Sequence, residues 1–472
     1  MSLEPPDTDI PPPIGESDYG KADGATPPAF TDEALALRFA DRHHDDLRFV
    51  ARWGKWLFRE PAVWRSDDTL LAYDMVRAIC REASAEAEAN KGRIAAMIAS
   101  GKTVAAVEKL AKADRRLAAT VDQWDADPWL LNTPGGVVDL RTHKMRRHSP
   151  TDHMTKLTAV APGGECPMWL KFLGRVTGGD ADLISYLQRV CGYALTGVTR
   201  EHAMWFAYGT GRNGKGVFLN TITSIMGDYA LTADPDTFTA SGMGKHLTVL
   251  ARLQGARLVV AQETEQGVPW AEARIKQITG GDPITANYMR QDPFTFVPQF
   301  KLFMAGNHKP SLKAVDEAIK ARFNLVPFEV TIPKAERDPE LPEKLKGEWA
   351  GILRWMIDGC MAWQNDGLAP PAIVQAATEN YLAAEDAFAI WIAERCKAIG
   401  YGWTETNKLF TNWTTWAKEA GEQPGTRKAF SQELAKRGYT SKLDPTSRRS
   451  AFEGIALDDV QPSHAEADHE RS

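Results

Sequence analysis

Short apolar runs alternate with helix-like stretches through the middle of the chain. Residues 203–208, 257–262 and 301–307 are apolar runs of strand length, and a helix-like run at 217–226 follows the first of them. Strands that alternate with helices along a chain are typical of an α/β fold with a parallel sheet. The pattern therefore predicts an α/β domain, which we place at residues 166–368.

Composition predicts further parts on both sides of this domain. Residues 31–165 contain an Ala/Glu/Lys-rich helical stretch at 75–117 among strand-like segments, which indicates an N-terminal α+β domain. Residues 369–458 are helical with a short β-like end, and we expect a separate C-terminal domain there. The chain ends, residues 1–30 and 459–472, are predicted to be disordered, since the first contains seven prolines and few apolar residues and the second is acidic.

Length and charge limit the class of protein. A chain of 472 residues is too long for one ordinary core, so two or three folded domains are expected. The sequence has no apolar run of membrane-spanning length and no signal-peptide pattern at its start. Its net charge of −6 argues against an extensive nucleic-acid-binding surface but allows one local basic site. The five cysteines lie far apart without metal-type spacing, which predicts buried thiols in a reducing cytoplasm.

A glycine-rich loop joins the first apolar run to the helix after it. It consists of Gly209, Thr210, Gly211, Arg212, Asn213, Gly214, Lys215 and Gly216. The spacing is that of a phosphate-binding loop, in which Gly, four residues, Gly and Lys are followed by Ser or Thr. Glycines let backbone N–H groups turn toward a polyphosphate, the helix adds its positive end, and lysine reaches the outer phosphates. Gly216 departs from the pattern because it has no hydroxyl to hold magnesium. The alternative is an ordinary glycine-rich strand–helix turn.

Further polar residues lie near the ends of three predicted elements. Glu263 directly follows the run 257–262, with Glu265 two residues on, and a carboxylate there can hold magnesium and orient an attacking water. Asn307 ends the next apolar run, where its amide can hydrogen-bond a γ-phosphate or that water. Arg322 lies where a helix end runs into a strand, and its guanidinium suits transition-state charge. Taken singly, each residue also fits a structural role as an acidic loop, a turn asparagine or a solvated helix cap.

The order and spacing of these features resemble the motifs of superfamily 3 helicases. The features are the loop at 209–216, Glu263, the segment 276–282, Asn307 and Arg322. The likeness is to the helicase portion of phage, plasmid and poxvirus primase-helicases, and it extends over about residues 31–458. A strand–turn–strand pattern at 129–140 resembles the domain that precedes the helicase in that lineage. We expect no primer synthesis, because the sequence offers no counterpart of the relatives' primase domain.

The resemblance implies an AAA+-like P-loop ATPase core that hydrolyses ATP with Mg²⁺ between the subunits of a hexameric ring around DNA. Lys215 would bind the phosphates, and Glu263 would serve the metal and the attacking water. Asn307 would sense the γ-phosphate, and Arg322 would act in the site of the neighbouring subunit.

Two regions are expected to contact single-stranded and forked DNA. The family has a DNA-gripping β-hairpin within residues 282–300, and Arg290 is the only basic residue at its tip here. Residues 425–450 carry seven basic residues against two acids, a net of +5, in a pattern that suits a winged helix with one basic face. The candidate DNA contacts there are Lys428, Lys436, Arg437, Arg448 and Arg449. A solvated charged helix is the alternative interpretation.

The leading function is an ATP-dependent DNA helicase or translocase for phage, prophage or plasmid replication in the cytoplasm of a bacterial host. A separate primase or replication initiator is the expected protein partner, and no membrane is involved. The absent hydroxyl at Gly216 motivates the alternative, a nucleotide-dependent DNA-binding ring or loader with weak hydrolysis. A small-molecule phosphotransferase is a third possibility, which the predicted hairpin and basic C-terminal region disfavour.

Overall fold

The computed structural model describes residues 27–88, 92–240, 246–262, 268–288, 292–312, 315–443 and 448–458. The chain forms two compact units. The first runs to Asp139 and also contains Lys144–Thr158, and the second contains Leu140–His143 and the chain from Ala159 onward. The finer boundaries drawn from composition stay predictions.

The first unit packs helices against a small sheet. Its helices are α1 (Asp32–His43), α2 (Leu71–Glu88), α3 (Gly92–Ile98) and α4 (Gly101–Ala111). Its strands are β1 (Leu47–Val50), β2 (Lys55–Arg59), β3 (Trp64–Ser66), β4 (Ala118–Ala119), β5 (Leu130–Thr133), β6 (Gly136–Asp139) and β7 (Lys144–Arg146). One sheet has the order β3-β2-β1-β4 and the other is the antiparallel sheet β5-β6-β7. The core between helices and sheet includes Phe39, Trp56, Ile79 and Val107, all buried.

The helical stretch predicted at 75–117 is three helices, α2, α3 and α4. The start of α4 has a local cause, because the Ser100 hydroxyl accepts a hydrogen bond from the Thr103 N–H (3.2 Å) and so caps a new helix. The strand–turn–strand pattern at 129–140 corresponds to β5 and β6, which pair with Leu131 opposite Val138.

The second unit contains the remaining helices and strands. The helices are α5 (Pro167–Val176), α6 (Ala181–Leu195), α7 (Lys215–Met226), α8 (His246–Arg252), α9 (Glu272–Thr279), α10 (Glu317–Lys320), α11 (Leu341–Lys346), α12 (Trp349–Asp366), α13 (Ala372–Glu385), α14 (Ala387–Arg395), α15 (Thr406–Glu419) and α16 (Arg427–Lys436). The strands are β8 (Met204–Tyr208), β9 (Ala230–Thr232), β10 (Leu258–Gln262), β11 (Ile284–Ala286), β12 (Phe294–Phe296), β13 (Lys301–Gly306), β14 (Phe323–Pro327), β15 (Cys396–Glu405), β16 (Thr440–Leu443) and β17 (Ser450–Leu457).

A parallel sheet with the strand order β14-β8-β13-β10-β9 lies at the centre of this unit. Every residue of β13 is buried, as expected for a strand covered on both faces. Phe206, Trp270, Phe323 and Tyr381 pack on one side, and the Trp270 indole donates a hydrogen bond to the Tyr381 hydroxyl (2.9 Å). The predicted mixed α/β fold with a parallel sheet is confirmed.

The C-terminal elements of the second unit have a hydrophobic cluster of their own. Helices α14, α15 and α16 pack with the antiparallel sheet β15-β17-β16. Phe388, Trp391, Leu409, Phe430 and Ile455 are buried in this cluster. Helix α16 and the hairpin of β16 and β17 are thus the elements that carry the basic residues of the C-terminal region.

The cysteines are free thiols, as expected from their spacing. Four are buried and Cys396 is half-buried; the buried ones are Cys80, Cys166, Cys191 and Cys360. None of the helices in the described ranges is long and apolar enough to cross a bilayer. Those ranges also hold no group of three or more His, Cys, Asp or Glu side chains placed to share a metal ion.

Candidate functional site

The glycine-rich loop lies at the carboxyl edge of the parallel sheet. It leaves β8 after Tyr208 and enters α7 at Lys215. The neighbouring strands end level with it, since Tyr208 is in register with Gly306 of β13 and with Pro327 of β14. In open α/β sheets, ligands bind at this edge, outside the carboxyl ends of the strands.

Two glycines of the loop are required by close approach of other groups. A Cβ at Gly209 would lie 2.1 Å from the Phe328 carbonyl oxygen, and one at Gly214 would lie 2.5 Å from Val176 Cγ1. Gly214 also has a φ of +85°, in the left-handed region that favours glycine. The loop is therefore held tightly at both ends, while the side chains of Thr210 and Arg212 between them are exposed.

Asn213 holds the loop to the sheet. Its side chain is 3% exposed, and its amide nitrogen donates to the Phe328 carbonyl oxygen at 2.6 Å. The loop motif predicts Asn213 as a ligand contact; in the structure its amide nitrogen contacts the backbone just beyond β14. A buried polar side chain with this bond fixes the loop at the end of the neighbouring strand.

Lys215 and Asn307 lie in contact. The Lys215 ammonium donates to the Gly209 carbonyl oxygen at 2.7 Å and to Asn307 Oδ1 at 3.3 Å. The lysine is 7% exposed, and burial lowers the pKa of its ammonium from the ordinary value. A cation at the start of α7 adds to the positive end of the helix, so the loop has the charge to bind an anion.

Gly216 has open space above it. The nearest group to a Cβ built there is Gln262 Oε1, at 3.8 Å, and Gly216 has helical backbone angles. Gln262 is the last residue of β10, and its Nε2 donates to Asn220 Oδ1 on α7 at 2.8 Å. The amide of Gln262 therefore faces the first turn of α7. Sequence reasoning missed it, although it is the polar residue that ends the apolar run before Glu263.

Glu263 and Glu265 lie outside the described residues. Glu263 directly follows Gln262, which pairs with Ala305 one residue before the end of β13. The structure thus locates the strand end that precedes Glu263, and the role of this carboxylate stays a prediction.

Arg322 lies at the amino ends of the parallel strands, opposite the carboxyl ends where Lys215 lies. It precedes β14, whose first residue Phe323 pairs with Met204 at the start of β8. Five residues of strand separate the two edges, about 16 Å at roughly 3.3 Å per residue. The Arg322 side chain donates to Thr279 Oγ1 at 3.1 Å and to the Ala318 carbonyl oxygen at 2.6 Å. The structure therefore brings Lys215 and Asn307 together but not Arg322.

The predicted hairpin is β11 and β12, which pair with Ile284 opposite Phe296. Tyr288 follows β11 with 39% of its surface exposed, and its ring stacks on Phe294 with centroids 5.5 Å apart. Arg290 is outside the described residues, and its DNA contact stays a prediction.

Ion pairs divide the basic residues of the C-terminal region. Arg437 donates to Asp386 at 2.7 Å and to Glu433 at 3.2 Å, and it lies over the Phe388 ring at 5.1 Å. Arg437 therefore has a packing role inside the cluster as well as its charge. Lys436 also lies near Glu433, at 3.5 Å.

Arg448 and Arg449 directly precede β17, and Arg449 lies 3.4 Å from Glu405. Lys428 lies in the first turn of α16 and lines an open groove of about 530 Å³ together with Arg427. Ser431, Gln432 and Ser441 also line this groove, and their side chains can donate or accept hydrogen bonds. Arg427, which was not among the predicted DNA contacts, is a better candidate for one than Arg437, because Arg437 is held in ion pairs with Asp386 and Glu433.

Fold and loop together define the class of this protein: a mixed α/β protein whose parallel sheet carries a glycine-rich, lysine-containing strand–helix loop at its carboxyl edge. Comparison with known proteins narrows the class. A model described as D5 N terminal like matches residues 36–178, and a family of unknown function (DUF5906) matches residues 207–322.

Three viral relatives are each named "Putative helicase". That of Acanthamoeba polyphaga mimivirus is 24% identical over 294 residues, that of Invertebrate iridescent virus 3 is 25% identical over 236, and that of Frog virus 3 (isolate Goorha) is 28% identical over 215. The matches cover 57%, 47% and 41% of this chain but 31%, 25% and 22% of the relatives. The chain thus corresponds to less than a third of each relative.

Solved apo structures of the NrS-1 C-terminal region share the fold. One has a TM-score of 0.50 at 11% identity, covering 87% of this chain and 96% of that one, and another has 0.51 at 10% identity, covering 90% and 98%. The domain model, the viral relatives and these structures together support a likeness to the helicase portion of D5-like primase-helicases.

Proposed function

We propose that this chain is an ATP-dependent DNA helicase or translocase that acts in phage, prophage or plasmid replication as a hexameric ring around DNA. The observation that carries the proposal is the contact between Lys215, at the start of α7, and Asn307, at the end of the neighbouring strand β13. A glycine loop, a lysine and a strand-end amide at one sheet edge are the parts that phosphoryl transfer requires for binding and orienting a nucleoside triphosphate.

The residues near the loop fit a magnesium-bound nucleotide. Mg²⁺ prefers oxygen ligands, and Gln262 Oε1 and Asn307 Oδ1 both lie beside the loop, within 4 Å of the points where Gly216 and Gly211 would carry a Cβ. When bound, the metal would neutralise charge on the phosphates. Lys215 would bind the outer phosphates, and Asn307 would orient the γ-phosphate or the attacking water. Glu263 would be the carboxylate that serves the metal and that water.

The position of Arg322 supports a site shared between subunits. Arg322 lies at the amino ends of the parallel strands, and Lys215 lies at their carboxyl ends. Within one chain Arg322 is therefore too distant to reach a nucleotide beside Lys215. In a ring built head to tail, each interface joins two different surfaces of the subunit. Arg322 would then complete the neighbour's site, and the interface would be needed for hydrolysis.

The hairpin and the C-terminal elements would hold the DNA. Tyr288 offers an exposed ring for stacking on bases, with Arg290 predicted at the hairpin tip. The helices and hairpin of the C-terminal cluster would form a winged-helix-like domain that contacts phosphates through Lys428, Arg448 and Arg449. Lys436, Arg437 and Arg449 each lie near an acid of the same chain, and Arg437 is held by two of them.

The proposal is tested by ATP turnover with and without single-stranded DNA. We expect magnesium-dependent turnover that DNA stimulates, and Lys215→Ala should abolish it. Lys171→Ala, a change at an exposed lysine on α5, is the matched control and should leave turnover unchanged. Turnover that ignores DNA, or survives Lys215→Ala, would contradict the assignment.

A ring or loader with weak hydrolysis is the second candidate, and the glycine at position 216 favours it because no hydroxyl is available for the metal. In that case the chain would bind nucleotide and DNA, but DNA would not stimulate turnover. The same assay therefore separates the two functions.

A further inference from the structure

The structure offers a replacement for the hydroxyl that the loop lacks. Serine or threonine at position 216 would fill the space above the first turn of α7. Here that space is open, and the atom nearest to it is an amide oxygen, Gln262 Oε1, 3.8 Å from the point where a Cβ would lie. An amide oxygen is a neutral oxygen ligand of the kind that both Ca²⁺ and Mg²⁺ accept, directly or through water.

The orientation of this amide is set by a second residue. Gln262 Nε2 donates to Asn220 Oδ1 at 2.8 Å, and Asn220 lies one helical turn after Gly216. This bond uses the nitrogen of the Gln262 amide and leaves Oε1 directed toward Gly216. Among the described residues, none donates a hydrogen bond to Oε1, so none of them occupies its lone pairs.

Pairing of the backbone in the parallel sheet fixes the position of Gln262. It is the last residue of β10, and it is in register with Ala305 of β13, which lies two residues before Asn307. The Gln262 side chain is therefore presented at the same carboxyl edge as Lys215. A side chain on a central strand, held by a neighbouring hydrogen bond, is better ordered for metal binding than one on a loop.

From this geometry we infer that Gln262, oriented by Asn220, supplies the oxygen that holds the nucleotide's divalent cation in place of the missing residue-216 hydroxyl. The inference rests on the proposed function, because it concerns the cation that accompanies ATP in the Lys215 site. It assigns a role to a residue outside the loop and explains how the chain tolerates glycine at position 216.

The test measures cation affinity rather than turnover. A fluorescent ATP analogue is bound to the full chain in EDTA, and Mg²⁺ is then titrated while anisotropy reports tightening of the complex. Gln262→Met, which keeps the side-chain length and removes the amide, should raise the Mg²⁺ midpoint about tenfold or more, within the 10–100-fold range for lost metal-site partners. Binding of the analogue in EDTA should be unchanged.

Three further variants sharpen the test. Asn220→Ala should raise the midpoint in the same direction by a smaller factor, because Oε1 remains but is no longer oriented. Gly216→Ser in the Gln262→Met background should restore the midpoint, since it returns the hydroxyl. Gln375→Met, at an exposed glutamine on α13, is the control and should have no effect.

An unchanged Mg²⁺ midpoint in Gln262→Met, with Lys215→Ala still weakening nucleotide binding, would overturn this inference and leave the proposed function standing. A wild-type chain that binds no nucleotide, or binds it equally well after Lys215→Ala, would overturn both. A raised midpoint that Gly216→Ser does not rescue would show that Gln262 acts through folding of the site, and it would also overturn the inference.

Discussion

Replacing Gly214 by alanine is expected to destabilise the second unit by about 2–5 kcal/mol. Two independent terms contribute. The φ of +85° places a Cβ-bearing residue in the left-handed region, at about 1–2 kcal/mol. The new Cβ would also lie 2.5 Å from Val176 Cγ1, and overpacking of this kind costs about 1–3 kcal/mol.

Gly216→Ala is the matched control, because it makes the same chemical change two residues further along the loop. Gly216 has helical backbone angles, and its nearest neighbour would be 3.8 Å away. Alanine there should stabilise the helix by about 0.4–1 kcal/mol, since it reduces the freedom of the unfolded chain.

Urea unfolding monitored by hydrogen exchange of peptides from β8 and α7 measures both variants in the unit that contains the loop. We expect Gly214→Ala to unfold at lower urea than the wild type and Gly216→Ala at equal or higher urea. Equal losses in the two variants would refute the packing described for this loop and would mean that Gly216 is also needed for close approach.

Three other predictions follow from the described contacts. Lys215→Ala should weaken binding of a fluorescent ATP analogue about tenfold to a hundredfold, since a charge-assisted hydrogen bond contributes about 1.5–3 kcal/mol; unchanged affinity would place the nucleotide elsewhere. Arg427→Ala should reduce the slope of log affinity for single-stranded DNA against log salt concentration by about 0.7. Arg437→Ala should leave that slope unchanged and lower the stability of the C-terminal cluster. Equal slope changes in the two variants would contradict the assignment of Arg437 to intramolecular ion pairs. Burial lowers the pKa of Lys301 well below its ordinary value of 10.5. Between the lowered pKa and 10.5 the folded state binds fewer protons than the unfolded state, so the unfolding free energy of the wild type should rise with pH relative to that of Lys301→Met. A pH-independent difference between the two unfolding free energies would refute this.

The parallel sheet and the contact between Lys215 and Asn307 follow from the sequence by simple geometry. Apolar runs of strand length separated by helices predict a parallel sheet, and the carboxyl ends of parallel strands meet at one edge. A lysine after one such run and an asparagine after another must therefore lie close if their strands are neighbours. The sequence could not give the strand order, which depends on long-range packing.

Other parts of the site depend on side-chain directions that a linear pattern does not contain. Asn213 fits the loop motif as a ligand contact, but its amide nitrogen binds the Phe328 carbonyl oxygen, 115 residues along the chain. Arg437 counts as one more positive charge in the sequence, yet Asp386 pairs with it from a distant segment. Net charge over a window therefore overstates the surface that is free to meet DNA.

Interruption of the helical stretch at 75–117 has a local signal that composition masks. Ala, Glu and Lys favour helix throughout the stretch, but Ser100 and Gly101 offer a cap and a break. Capping residues inside a helical pattern deserve as much weight as the propensities around them.

The central claim is that Lys215 and Arg322 act in one site contributed by two subunits, and mixing of variants tests it most directly. Lys215→Ala and Arg322→Ala chains are each expected to lack DNA-stimulated ATP turnover. Mixed in equal amounts, they should recover part of it, because some interfaces then combine an intact Lys215 from one subunit with an intact Arg322 from the next. Arg322→Ala chains that turn over ATP like the wild type, or inactive variants whose mixture stays inactive although the subunits co-assemble, would contradict the account.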